Sequence, residues 1–382
     1  MRGEDFVAAL VASVRQQEQL IRTLSVAGAT TCLLQLWPGR VPMRVAALVG
    51  LLGSALVLQH SFLAFISINV VVLVVCRAIA VARARWPRAI LALLILSAVF
   101  LVGREQHWDR AVTHVGDAWV GSFYLDMWMA LRLFVLIWEV GAGKQDAPRL
   151  TPYLAWSASP LFLAGPLLRY SSWPGTLRPL RRGLLEARWW SSALVALGML
   201  LGGLGLDALG RVLPTDLGVW RKLTLVFLLG PWAFYLVTAG SLRLFRSLSE
   251  LLSLDPGPSF SRPFLQPNIA EFWARWNMTA TAVFREYFFY NRWGLKRFNP
   301  YINSLVVFLV IGLWHGANTY WISFGLIHGA YFCVFLWWRS RPPSNVPRYP
   351  PMLTGAVTYV AVCMAWYLPS KIAGLMQRLS GG

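Results

Sequence analysis

Residues 62–76 read Phe-Leu-Ala-Phe-Ile-Ser-Ile-Asn-Val-Val-Val-Leu-Val-Val-Cys, fifteen positions without a charge. In water such a run would sit in a core, but about 20 apolar residues in a helix also cover the hydrocarbon layer of a bilayer. Runs of this kind recur along all 382 residues: Leu24 to Trp37, Met43 to Leu58, Ala89 to Gly103, Trp119 to Val140, Leu154 to Leu168, Trp190 to Leu206, Leu223 to Ser241, Ile302 to Trp314, Tyr320 to Trp338 and Met352 to Leu368. Several are too short to cross alone. The pattern predicts an all-α polytopic membrane protein with roughly eight to eleven transmembrane helices. No fixed-period repeat or low-complexity segment interrupts it, and the spacing leaves no room for a separate soluble domain.

Composition points the same way. The chain is 57% hydrophobic and only 13% charged, yet 35 Lys and Arg exceed 16 Asp and Glu by 19. A soluble enzyme carries about a quarter charged residues, and a disordered or nucleic-acid-binding tail is not rich in Leu, Val, Phe and Trp. Membrane lipid, and not nucleic acid, is the expected surrounding. In polytopic proteins Lys and Arg collect in cytoplasmic loops. Twenty Trp and twelve Tyr supply interfacial belts.

Loop charges orient the chain. Arg77, Arg83, Arg85 and Arg88 form a basic segment without an acid, predicted cytoplasmic, while 104–117 balances Arg104 and Arg110 against Glu105, Asp109 and Asp117 and is predicted outside. The stretches around Lys144 and Arg149 and from Arg169 to Arg188 are then both cytoplasmic, with one apolar segment between them. That segment, Tyr153 to Tyr170, holds Pro160 and Gly165-Pro166, which break helices. It is expected to be re-entrant. Met1 to Leu24 lacks the form of a signal peptide, and Phe6, Leu10, Val14, Ile21 and Leu24 recur near helical spacing, which predicts an interfacial helix. Ile269 to Tyr290 reads as a single amphipathic helix with Phe272, Trp273, Trp276, Phe284 and Phe288 on its apolar side and a Glu271–Arg275 ion pair one turn apart. Cys32, Cys76, Cys333 and Cys363 show no ligand or redox spacing and are expected as small buried hydrophobes; no metal site is expected.

Five histidines are present. His60, His107 and His114 lie at breaks or in the outer loop, where a solvated role is the ordinary one. His315 and His328 are embedded in apolar sequence, where an ionisable side chain is costly unless it meets a cavity or a partner. Gly312 and Gly316 flank His315 and permit close approach of another helix or an acyl chain, and Trp314 walls it. A desolvated neutral imidazole suits a general base; the competing reading is a histidine bonded to a neighbouring helix. Asn277 could orient that imidazole or donate to a developing oxyanion. Asp126 and Arg132 are read as a buried polar pair within one span.

Taken together, Asn268 to Thr281 (Asn-Ile-Ala-Glu-Phe-Trp-Ala-Arg-Trp-Asn-Met-Thr-Ala-Thr), Phe284-Arg285-Glu286-Tyr287, Gly312-Leu313-Trp314-His315-Gly316 and Gly325-Leu326-Ile327-His328-Gly329 resemble the core of the membrane-bound O-acyltransferase family, in particular its bacterial polysaccharide and teichoic-acid enzymes. Gly121-Ser122-Phe123-Tyr124, the proline-glycine-proline segment from Pro160 to Tyr170, and Ser261-Arg262-Pro263-Phe264 match further steps in order. The resemblance covers roughly Gly121 to Trp338 and implies three parts. These are N-terminal helices over 1–118, a catalytic core over 119–338, and a basic loop, last helix and tail over 339–382.

It also implies interfacial and re-entrant helices around a central tunnel, His315 as the base that takes the acceptor hydroxyl's proton, and Asn277 as the second signature residue. His328, Trp314, Trp276 and Trp273 are then supporting or tunnel-lining residues, and Arg275 and Arg285 hold the donor unless they only snorkel to the interface. The donor implied is a cytoplasmic thioester, acyl-CoA or acyl-carrier protein, with no permanently bound cofactor. The acceptor implied is an envelope polysaccharide or related exported hydroxyl at the plasma membrane, with an envelope-side protein as a possible acyl relay. A lipid or small-molecule hydroxyl is the second choice, and a transporter or silent scaffold the rival of another class.

Overall fold

The computed structural model describes residues 3–82, 125–180, 186–289, 299–342 and 349–380. The predicted span Ala89 to Gly103, the outer loop with His107 and His114, Gly121 to Tyr124, and the part of the basic segment from Arg83 to Arg88 lie outside them, as do Arg292, Lys296 and Arg297. The described residues form helices α1 (Gly3–Gln16), α2 (Glu18–Gln35), α3 (Met43–Leu58), α4 (Phe62–Ala82), α5 (Leu125–Gly141), α6 (Leu150–Ser157), α7 (Ala187–Val212), α8 (Val219–Thr224), α9 (Gly230–Glu250), α10 (Ile269–Arg275), α11 (Met278–Val283), α12 (Pro300–His315), α13 (Thr319–Arg339) and α14 (Pro351–Ser380). No strand occurs among them; one isolated antiparallel bridge joins Val41 and Leu177.

Five helical stretches are long and apolar enough to cross a bilayer: Phe62–Val81, Arg188–Val212, Val219–Glu250, Thr319–Arg339 and Pro351–Leu379. Met43–Leu58 and Pro300–His315 are shorter apolar helices. The fold is that of an all-α polytopic membrane protein. On α4, Leu63, Val70, Val74 and Val81 are exposed, an arrangement that suits lipid and not water. Cys76 and Cys363 are buried as expected, whereas Cys32 is exposed and Cys333 half-buried.

The chain divides into two compact units. The first comprises Met1–Val212 and Ala233–Gly257. Its centre is the proline-glycine-proline segment, which leaves the helix at Ser157 and makes only a 3-10 turn at Pro160–Phe162. Helical hydrogen bonds are therefore missing across a stretch whose residues from Tyr153 to Leu168 are almost all buried. Side chains from other helices replace them. Ser54 of α3 donates to the Ala158 carbonyl at 2.6 Å, and Arg132 of α5 donates to the carbonyls of Trp156 at 2.5 Å and Phe162 at 3.1 Å. Trp156 Nε1 donates to the Leu168 carbonyl at 2.9 Å, and Tyr153 donates to Asn69 Oδ1 of α4 at 2.8 Å. The carbonyls of Trp156, Ala158, Phe162 and Leu168, which would otherwise face hydrocarbon, thus have partners.

Arg132 is consequently a brace for this segment; the side chain of Asp126, its expected partner, lies outside the described ones. Glycines let the packing close. A methyl group on Gly53 would lie 2.6 Å from the Pro160 ring, and one on Gly165 would lie 2.1 Å from the Leu161 carbonyl oxygen and 3.1 Å from Phe245. Gly165→Ala is expected to destabilise this unit by about 2 kcal/mol or more through overpacking, read as a lower melting temperature of the detergent-solubilised protein. An unchanged melting curve would show that the segment shifts freely.

The second unit comprises Leu213–Trp232 and Pro258–Gly382. Here α14 closes against the residues before α10: a methyl group on Gly355 would lie 2.6 Å from the Leu265 carbonyl oxygen. Tyr359 donates to the Phe227 carbonyl at 2.6 Å, and Phe264 packs edge-on to Tyr359 and Trp232. All the candidate site residues lie in this unit.

Candidate active site

Asn268 starts α10 by accepting the Glu271 N–H on Oδ1 at 2.9 Å, the usual device for satisfying an exposed helix N-terminus. The predicted Glu271–Arg275 ion pair forms across one turn. The helix then stops, which corrects the reading of Ile269 to Tyr290 as one helix. Trp276 is extended and Asn277 is left-handed, with φ 42° and ψ 55°. A new short helix begins at Met278 and widens into a π turn over Phe284–Phe289. Asn tolerates the left-handed region better than most residues.

The preceding segment makes the break possible. Ser261 N–H donates to the Arg275 carbonyl at 3.1 Å, and Met278 N–H donates to the Ser259 carbonyl at 2.7 Å. These partners come from outside the helix, so no periodicity within 269–290 announces them. At the break, Trp276 is walled by Phe260, Phe272 and Trp366, with ring centroids 5.0, 5.4 and 5.2 Å away. Beside it, Asn277 Oδ1, Ser259 Oγ and Thr279 Oγ1 are buried without a hydrogen-bond partner among the described residues. Left-handed backbone and unpaired buried oxygens are both costly, and both concentrate at functional sites.

His315 is the last residue of α12. Asn299 and Pro300 begin that helix, and Asn318, whose Oδ1 accepts the Trp321 N–H at 3.0 Å, begins α13. The two helices form a tight antiparallel hairpin because glycines lie where they meet. Methyl groups on Gly312 and Gly325 would lie 2.3 Å from the Trp321 and 2.4 Å from the Phe308 carbonyl oxygens. Of the two possibilities for Gly312, close approach of a helix is thus the one realised. The His315 ring is half-buried and stacks on Trp321 with centroids 4.4 Å apart and planes within 13°. Trp314 lies 4.6 Å from it and meets Phe284 of the π turn at 5.3 Å.

His328 differs sharply. It has no exposed surface, and its Nδ1 accepts the Trp273 indole N–H at 3.3 Å. Phe324 and Phe308 flank its ring at 4.5 and 5.9 Å, while Nε2 is buried without a partner among the described residues. Phe324 also lies 6.0 Å from His315, so the two imidazoles share one phenyl ring.

The candidates thus fall into two groups. Trp273, His328, Trp314 and His315 belong to one aromatic cluster around the α12–α13 hairpin. Asn277 and Trp276 lie at the break that follows α10, and the Asn277 amide oxygen is not bonded to His315. Arg275 is matched by Glu271, and Arg285 is exposed on the π turn. The reading of the sequence missed Trp321, Phe324 and Ser259. Trp321 is six residues past His315 across a Gly316-Ala317-Asn318 turn, a spacing that returns a chain onto the same helix end. No group of His, Cys, Asp and Glu suited to a metal occurs among the described residues.

No family model matches the chain. Over 112 residues, 29% of this chain, it is 30% identical to a probable alginate O-acetylase of Pseudomonas aeruginosa. It is 31% identical over 110 residues to a peptidoglycan O-acetyltransferase of Helicobacter pylori and 27% identical over 136 residues to a teichoic acid D-alanyltransferase of Bacillus subtilis. The matched part spans only 21%, 21% and 34% of those relatives' own lengths. Part of this chain is therefore similar to proteins named as O-acetyl and D-alanyl transferases.

Proposed function

We propose that the protein is a membrane-bound O-acyltransferase that moves an acyl group from a cytoplasmic thioester, acyl-CoA or acyl-carrier protein, to a hydroxyl of an envelope polysaccharide or related exported acceptor at the plasma membrane. The observation that carries this reading is the contrast between two embedded histidines: His328 is sealed, whereas His315 is half-buried at a helix end with its ring held flat on Trp321. An imidazole held at a fixed angle and still reachable suits proton transfer. In the proposed step His315 takes the acceptor hydroxyl's proton, and the oxygen attacks the thioester carbonyl. The carbon–sulfur bond then breaks, and the leaving thiolate recovers the proton from the imidazolium. Asn277 Oδ1, buried without a partner among the described residues, is available to accept a hydrogen bond from a neighbouring hydroxyl of the acceptor and so orient it.

Arg285, exposed, is the stronger candidate for the anionic end of the donor; Arg275 would have to exchange its bond to Glu271 for a phosphate. The central tunnel and an envelope-side relay protein belong to this reading as well. The test uses the full chain in lipid nanodiscs with acetyl-, butyryl- and palmitoyl-CoA and the same acyl groups on carrier protein, followed by thiol release. Release above that of empty nanodiscs, increased by a polysaccharide acceptor, is expected. No release from any of these donors would overturn the reading.

A further inference from the structure

Two embedded histidines in one aromatic cluster raise the question of what the second one does. An indole N–H can only donate, so the Trp273 bond requires His328 Nδ1 to be without a proton, and the neutral ring carries its hydrogen on Nε2. With no exposed surface and Phe308, Phe324 and Tyr331 around it, the ring meets neither solvent nor, among the described residues, a carboxylate. These facts suit a fixed hydrogen-bond acceptor and not a proton carrier.

The bond joins two elements distant in sequence. Trp273 belongs to α10, whose next turn ends at Trp276 and Asn277. His328 belongs to α13, packed through Gly325 and Gly329 on α12, whose last residue is His315. The Trp273 indole also meets Phe308 of α12 at 5.2 Å, edge to face. A continuous series of ring contacts therefore runs from Trp276 through Phe272, Trp273, His328 and Phe324 to His315. Within that series the Trp273–His328 bond is directional, so it specifies an orientation where ring packing alone allows sliding.

We infer that His328 is a positioning residue, whose unprotonated Nδ1 holds Trp273 and thereby sets the segment bearing Asn277 against the hairpin that ends in His315. The inference rests on the acyltransferase reading above. It separates the histidines by role: His315 meets the substrate, and His328 acts through Trp273.

The test compares His328→Phe, His328→Asn, Trp273→Phe and the double variant Trp273→Phe/His328→Phe in nanodiscs. Steady-state thiol release from the donors above is normalised to folded protein. His328→Phe keeps a ring but leaves the indole N–H buried and unpaired. It is expected to lower kcat by about 10-fold to 100-fold, the scale of a small misplacement of reacting groups, with the donor KM within about twofold. His328→Asn puts an amide oxygen near the place of Nδ1 and is expected to restore most of kcat. Trp273→Phe should match His328→Phe, and the double variant should be no worse than either, because removing both partners leaves no orphan.

A His328→Phe protein that melts at a lower temperature yet turns over normally per folded molecule would overturn the inference and make the bond purely structural. If that variant does not fold, Trp273→Phe with normal kcat overturns it equally. A wild-type protein that turns over no thioester overturns the acyltransferase reading itself, and the positioning role with it, a result that cannot be confused with an active wild type and an indifferent His328.

Discussion

His315→Ala is expected to lower the rate of acyl transfer by about 10²-fold to 10⁴-fold, the range that a positioned general base supplies, equivalent to about 3–5 kcal/mol in the barrier. Helix content and melting temperature should hardly change. The reason lies in where the residue sits. His315 ends α12, and the tight contacts of the hairpin are elsewhere, at Gly312 against Trp321 and Gly325 against Phe308. Removing the imidazole frees one face of Trp321 but breaks none of the glycine contacts. Circular dichroism and thiol release on the same preparation provide the measurement. Undiminished transfer by the folded variant would remove His315 from the chemistry. Asn277→Ala should cost less, since it deletes one hydrogen-bond acceptor and leaves the base in place; an unchanged rate would leave Asn277 with only its structural role at the break after α10.

Arg132→Met is expected to have the largest effect on stability. The arginine is 2% exposed, donates to two carbonyls of the broken segment, and lies with its guanidinium 4.3 Å from the Trp156 ring. Hydrogen bonds to charged groups contribute about 1.5–3 kcal/mol each, and the orphaned carbonyls cannot turn to water. Loss of about 3 kcal/mol or more should follow, read as a markedly lower melting temperature and proteolytic cleavage near Pro160. Arg132→Lys should recover less than half, because a compact ammonium cannot both stack on Trp156 and reach two carbonyls. Wild-type melting by Arg132→Met would show that lipid or water already satisfies the segment.

Local sequence revealed the helices because their information is local. A run such as 62–76 has no stable alternative to a helix in hydrocarbon, since each backbone group must find its partner within the segment. Met43–Leu58 was legible to the residue for the same reason, and Pro160 with Gly165-Pro166 marked a break that no lipid-facing helix could contain. The single helix expected over 269–290 failed because its stop depends on Ser259 and Ser261, which lie outside that window. Arg132 was expected to meet a charge within its own span, and the side chain of Asp126 lies outside the described ones; what the sequence did not announce is its bonds to two carbonyls thirty or fewer residues away.

The site divides along the same line. That His315 and His328 are embedded, and that Asn277 follows a tryptophan-rich turn, is written in the order of residues. Which histidine is sealed is not. Burial and the Trp273 bond arise where α10 meets the α12–α13 hairpin, through contacts 55 residues apart in the chain. Hydrophobicity is a property of single side chains and survives in the linear sequence. Accessibility and hydrogen-bond direction belong to pairs brought together by packing, and they exist only once the hairpin has closed on its glycines.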